Sequence, residues 1–229
     1  MQTPHTPALE HFFIYGASSF AIQVWEIICS RENCPLRGIM RGFIGKTRNH
    51  ENTLLGYPVY PYHDEMLECA RTKGPTACVI GFGAQHLRIP LWKKIRESGV
   101  IFPTVIHKSA VVSSFATIAD GVVVSALANI GPGANIGFGA IVNDNSVVSH
   151  DCVLEDYAQL APGVSLAGYC QLKEGSFIGI GATLLPDCVI GRRALIGAGA
   201  VVAGEIPNGA KAYGVPARIH GESGLLDLQ

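Results

Sequence analysis

The chain has 229 residues, 48% hydrophobic and 15% charged, which is ample apolar material for one or two packed domains. Its net charge of -1 and isoelectric point near 6.7 give no basic surface for nucleic acid or an anionic membrane. No run approaches eighteen apolar residues, so no membrane-spanning helix is expected. The seven cysteines, an odd number without a CxxC motif, read as reduced thiols of a cytoplasmic protein.

In chain order, residues 1–10 (MQTPHTPALE) lack the basic and apolar regions of a signal peptide. Residues 11–15 (HFFIY) read as a buried strand ending at Gly16, followed by a helix from about Ser19 to Ser30. Ala21, Val24, Trp25 and Ile28 form its apolar face. A second strand is expected over 38–44, then a connection, NHENTLLGYPVYPY, with a short strand near Val59. HDEMLECARTK reads as a helix with Asp64 as its N-cap. A strand over 76–81 and a helix in HLRIPLWKKIRES follow, with Pro90 in the first turn of that helix. The βαβαβ alternation predicts a small Rossmann-like parallel-sheet domain over 11–104.

The first turn of this domain, Gly16 to Phe20, offers helix N-terminal N–H groups suited to phosphate. It lacks G-x-G-x-x-G, and Gly45-Lys46 follows the second strand where a dinucleotide site wants an acid for the ribose. That argues against NAD. It leaves open a sheet that only packs and positions, or an acceptor held at the strand ends by Ser18, Ser19, Phe20, Gly45, Lys46 and Gly81.

From Ile106 to Val202 every sixth residue is Ile, Leu or Val, and two places before most of them sits Ala, Ser or Cys. A period of six fits neither a helix nor an ordinary amphipathic strand; it predicts a hexapeptide parallel β-helix of triangular section over 105–203. Three hexads make a coil of eighteen residues, so residues eighteen apart stack about one strand spacing, ~4.8 Å, from each other. Cys152, Cys170 and Cys188 then form one buried column. Pro207 and Gly209 are expected to break the repeat, leaving 204–229 as a tail that folds back on the last coils.

Counting by eighteen places Gly168 beside His150 on the next coil, in the column Pro132, His150, Gly168, Pro186. A general base next to a backbone N–H without a side chain suits acyl transfer. Asp151 can orient the imidazole. A zinc site of the carbonic anhydrase type needs three converging histidines. Only His107 and His150 lie in the repeat, 43 residues apart, so no metal is expected.

The run NDNSVVSHDCVLEDYAQLAPGVSLAGYCQL, with 197–202 GAGAVV and 214–217 GVPA, resembles the sugar acetyltransferases of the left-handed β-helix family. It is most similar to the group of sialic acid O-acetyltransferases and bacillosamine-pathway UDP-amino-sugar N-acetyltransferases. The resemblance implies a left-handed coil, acetyl-CoA as co-substrate and a homotrimer with sites between subunits. It also implies a sugar or nucleotide-sugar acceptor acetylated on an amine in surface glycan biosynthesis. By the same resemblance His150 is the general base, Asp151 its partner, Gly168 the amide donor and Asn143 a site asparagine. Ile180 and Ala198, with Gly181, Gly199 and Gln159, match coenzyme A positions; Gln159 stands where some members carry a second histidine. Ser19-Phe20 and Gly45-Lys46 depart from the Gly-His and paired acids of the family. A sugar O-acetyltransferase and a non-catalytic scaffold are the alternatives; a serine acetyltransferase fits less well, because that group carries a helical N-terminal domain in place of βαβ.

Overall fold

The computed structural model describes residues 8–47, 49 and 51–225. Residues 1–7, which carry most of the stretch read for a leader, lie outside the described residues, as do 48, 50 and 226–229. The chain divides into two compact units, Met1–Gly83 with Leu91–Pro103 and Ala84–Pro90 with Thr104–Gln229.

The first unit is an α/β sheet. Strand β1 (His11–Tyr15) lies between β2 (Met40–Ile44) and β5 (Thr76–Ile80), parallel to both. β4 (Tyr57–Tyr60) adds in parallel outside β2, and β3 (Thr53–Leu54) pairs antiparallel at the edge, giving the order β3-β4-β2-β1-β5. Phe12, Phe13 and Ile14 are completely buried, as a central strand covered on both faces requires. Helix α1 (Ser19–Cys29) buries Ala21, Val24, Ile27 and Ile28, while the expected Trp25 is half-buried and meets the Tyr57 ring edge-on at 5.3 Å.

Three local expectations fail here. Asp64 is the first residue of helix α2 (Asp64–Glu68), not its cap; His63 occupies that place and makes no side-chain cap bond. The helix continues as a wide π turn over Cys69–Lys73. Pro90 is the sixth residue of helix α3 (Gln85–Arg96), beyond the first turn. Strand β2 begins two residues later than expected, because Pro35–Arg37 forms a 3-10 turn that ends at Gly38.

The second unit is the predicted prism. Two-residue strands stack into three parallel sheets in which Asn129 pairs with Val147, Asn135 with Val153 and Ile141 with Gln159. The first face carries 129–130, 147–148, 165–166 and 183–184; the second 135–136, 153–154, 171–172 and 189–190; the third 141–142, 159–160, 177–178 and 195–196. Every hexad aliphatic residue from Val124 to Val202 is at most 1% exposed, and these residues form one continuous core. From Gly121 to Gly199 each corner turns through a left-handed residue, as at Gly133, Asp151, Tyr169 and Asp187 on one edge. Cys152, Cys170 and Cys188 are buried and free, and their thiols donate to the Ala167, Leu185 and Val202 carbonyls at 3.1, 3.2 and 3.3 Å.

The repeat outlasts the expected break. Glu205–Ile206 continues the second face, Ile206 pairing with Ile190, and Ala212 pairs with Ile196 on the third. Both partners are sixteen residues apart, so this coil drops two residues at one corner and keeps its register elsewhere. Only after Tyr213 does the chain turn back, as the antiparallel strand Arg218–Glu222. Arg88, grouped with this unit, is buried and donates to the Gly139 and Tyr157 carbonyls at 2.7 and 2.9 Å. Burial lowers its guanidinium to about 10.

The stacking makes a stability prediction. A methyl group at Gly179 meets the Ala198 N and Ile196 O backbone atoms at 2.7 Å. Gly179→Ala should therefore cost about 1–3 kcal/mol in thermal unfolding. Cys170→Ala, which removes one sulfur from a column that takes small residues, should cost about 1 kcal/mol and leave turnover within about two-fold of wild type.

Candidate active site

His150 and Asp151 form the corner between the first and second faces, just after the strand Val147–Val148. The His150 Nδ1 lies 3.0 Å from the Asp151 Oδ2, and the side chains are 52% and 47% exposed. Asp151 takes the left-handed corner conformation at φ 57°, which a short carboxylate side chain tolerates. Eighteen residues earlier, Gly133 leaves the space that the Asp151 carboxylate fills; a methyl group there would overlap Oδ1. With Nδ1–H donating to the carboxylate, Nε2 is the acceptor nitrogen of a neutral imidazole; this tautomer is assigned from the hydrogen bond.

Gly168 is where the eighteen-residue count puts it. A methyl group on its Cα would stand 2.5 Å from His150 Cε1 and 2.6 Å from Nε2, so the ring packs flush against a bare backbone. The Gly168 carbonyl accepts from the Asp187 N–H at 3.1 Å, but its own N–H reaches no acceptor among the described residues. A base nitrogen, a carboxylate orienting it and an uncommitted N–H thus meet at one corner. Tyr169 completes the group, its ring meeting the imidazole edge-on at 5.1 Å and 87°.

The other expected residues of this unit lie elsewhere on the prism. Ile180, Gly181, Ala198 and Gly199 form the corner between the third and first faces, so the first face separates them from His150. Ile180 is 61% exposed, and methyl groups at Gly181 and Gly199 would meet nothing within 4 Å. The Ile180 and Ala198 N–H groups reach no acceptor among the described residues. Asn143 belongs to this second corner: it is buried, and its Nδ2 donates to the Leu160 carbonyl at 2.6 Å. Gln159 is buried on the third face, its Oε1 without a hydrogen-bond partner among the described residues. Within one chain, neither Asn143 nor Gln159 lies at the His150 corner.

In the α/β unit, Ser18 and Ser19 line a cavity of about 170 Å³ with Ala17, Ile22, Thr47 and Glu51. Ser18 is the N-cap of α1, makes no side-chain cap bond, and is followed by a first turn without acids. Phe20, Gly45, Lys46 and Gly81 do not line this cavity. Gly81 is instead a packing glycine, since a methyl group there would meet Ala21 Cα and Ile14 Cγ2 at 2.8 Å. Thr47 and Glu51 were not anticipated; Glu51 is an acid a few residues beyond Gly45-Lys46 along the same connection. Tyr169 and Gly133 were also missed, although the count that found Gly168 reaches Gly133 from Asp151.

A family model for bacterial transferase hexapeptide repeats matches residues 169–204. A histidine-to-asparagine variant of perosamine N-acetyltransferase from Caulobacter crescentus, solved in complex with CoA and GDP-perosamine, superposes with a TM-score of 0.82. It is 32% identical over 93% of this chain and 97% of that one. The chain belongs to the hexapeptide-repeat sugar acetyltransferases. Its prism is the left-handed β-helix of this family, preceded by the family's α/β unit. The acetyltransferase domain of PglB from Neisseria gonorrhoeae, solved with acetyl coenzyme A, covers 93% of this chain and all of its own at TM-score 0.80 and 27% identity. The GDP-perosamine N-acetyltransferase of Escherichia coli O157:H7 is 36% identical over 120 residues, 52% of this chain and 54% of the relative. The chain thus spans about half the length of such curated relatives.

Gly168→Ala tests the corner directly. The added methyl group must push the imidazole aside, since it would stand 2.5 Å from the ring. Displacing a reacting group by about 1 Å costs on the order of a hundred-fold, so kcat should fall by about that much. The melting temperature should change little, because the half-exposed imidazole is not part of the buried core. Unchanged kcat would remove Gly168 from the site.

Proposed function

We propose that the chain transfers an acetyl group from acetyl-CoA to the amine of a nucleotide-linked amino sugar, with His150 as general base. The observation that carries this reading is the corner where His150, oriented by Asp151, packs against Gly168 with its unused N–H. Nε2 takes the proton from the sugar amine as the nitrogen attacks the thioester carbonyl. The oxyanion that forms accepts the Gly168 N–H. Collapse of this intermediate forms the amide and releases the coenzyme A thiolate, which takes the proton back from the imidazolium. No metal enters these steps, and no cluster of three or more potential ligands occurs among the described residues.

The coenzyme belongs at the Ile180 corner. Its pantetheine arm carries amides, and the free Ile180 and Ala198 N–H groups beside Gly181 and Gly199 suit them. Because that corner lies across the first face from His150, a working site needs the His150 corner of one copy against the Ile180 corner of another. Val111, Leu127 and Ile180 are 61–62% exposed along this face and its edge, apolar side chains that suit burial between copies. We therefore infer a homotrimer, with Asn143 and Gln159 serving the coenzyme side. The acceptor's nucleotide fits the cavity at the N-terminus of α1, where first-turn N–H groups suit a diphosphate and Glu51 suits a ribose hydroxyl. This enzyme would work in the cytoplasm, where acetyl-CoA is made; no described helix is long and apolar enough to cross a membrane.

The activity of the GDP-perosamine relatives makes a GDP-linked amino sugar the first acceptor to assay. His150→Ala should lower kcat by about 10²- to 10⁴-fold, the usual loss for a general base, while coenzyme A binding measured by calorimetry stays the same. Retention of more than about a tenth of the turnover, outside that range, would remove His150 as base. Sedimentation should give a trimer mass; a monomer at assay concentration would contradict the shared site.

A further inference from the structure

We propose that Tyr169 is a positioning residue: its ring packs edge-on against His150 and holds the imidazole over Gly168. The inference rests on His150 being the base.

The evidence starts from the backbone. Tyr169 has φ 62°, a left-handed conformation that is uncommon for a bulky side chain and favours Gly, Asn and Asp. Its own corner column shows the usual solution, with Gly133, Asp151 and Asp187 in the same conformation. Other bulky residues adopt it elsewhere on the prism, but Tyr157 and Arg193 are buried, and Leu127, 61% exposed, lies at the edge of the face proposed to pack between copies. Tyr169 is 54% exposed, so burial does not offset its strain. A costly conformation that folding does not repay is the kind found at functional sites.

The side chain shows what is gained. The imidazole is held in its plane by Asp151 at 3.0 Å and from below by the Gly168 backbone, yet its side chain is 52% exposed. Neither contact stops the ring from swinging outward about its Cα–Cβ bond. The Tyr169 ring, edge-on at 5.1 Å and 87°, adds a third contact to the imidazole. The Tyr169 N–H also donates to the His150 carbonyl at 3.2 Å, so the backbones that carry both rings are tied together. Edge-to-face pairs at this separation attract beyond simple contact. The ring, not the hydroxyl, makes the contact.

Positioning and strain can be separated because Asn and Gly suit the corner better than Tyr does. Tyr169→Asn should hold or raise the melting temperature while kcat falls about ten- to a hundred-fold, the range expected when a reacting group loses its placement. KM for the sugar nucleotide and binding of coenzyme A should stay near wild type. Tyr169→Gly should behave alike, and Tyr169→Phe should keep kcat near wild type. Wild-type kcat in the Asn and Gly variants would overturn the proposal. So would a loss in Tyr169→Phe as large as in Tyr169→Asn, or a fall in melting temperature that accompanies the loss of kcat in both the Asn and Gly variants. His150→Ala, run in parallel, keeps the two claims apart. If that variant remains active, the base assignment fails; if it is dead while Tyr169→Asn is fully active, only the positioning role fails.

Discussion

The eighteen-residue register is the constraint on which the rest of the structure depends. Each two-residue strand bonds to the strands one coil before and after it, so a residue's neighbours are set by arithmetic along the chain. Buried Ile, Leu and Val fix which way each hexad faces, and a slip by one residue would turn that core outward. Small residues before them and left-handed corner residues let the chain turn without widening the prism. A site built on such a lattice needs few residues of its own. Its base, orienting carboxylate and bare backbone are held by the same pairing that holds the fold.

The lattice also distributes chemistry among corners. The His150 corner has a base and an uncommitted N–H, while the Ile180 corner has two uncommitted N–H groups and open glycine surface. Corner amides can be left over because the ladder bonds use the strand groups and the second corner residue, and side chains cap several of the first corner residues. Asp144 does that for Ala126, and Asp156 for Phe138. At Gly168 the carbonyl alone is used. The coil thus leaves an amide over at some corners, and chemistry becomes possible where a base stands beside one.

Much of this was legible in the sequence because the period is local and strict. Gly168 beside His150, the buried Cys152 column and the three faces all follow from counting. The count fails where the period changes. The coil that pairs Ile190 with Ile206 loses two residues, so Pro207 and Gly209 read as a break although the sheet runs on to Ala212. The α/β unit has no such ruler. Its cavity brings together Ser18, Thr47 and Glu51 by tertiary packing, and neither spacing nor motif relates those positions. Gly81 drew attention as a strand-end glycine, but the closeness of Ala21 explains it. Tyr169 escaped notice because a tyrosine at that place carries no motif; its meaning lies in a backbone angle and a ring contact.

The central claim is that the proposed site is shared between the His150 corner of one copy and the Ile180 corner of another. Subunit complementation tests it most directly. His150→Ala and Ala198→Trp variants, each inactive alone, are mixed, dissociated and reassembled. In a closed ring with head-to-tail contacts, about a quarter of the interfaces then pair an intact His150 with an intact Ala198 corner, and activity should return to about that fraction of wild type. If reassembled mixtures of confirmed composition stay inactive, both halves of the site belong to one chain, and the account is wrong.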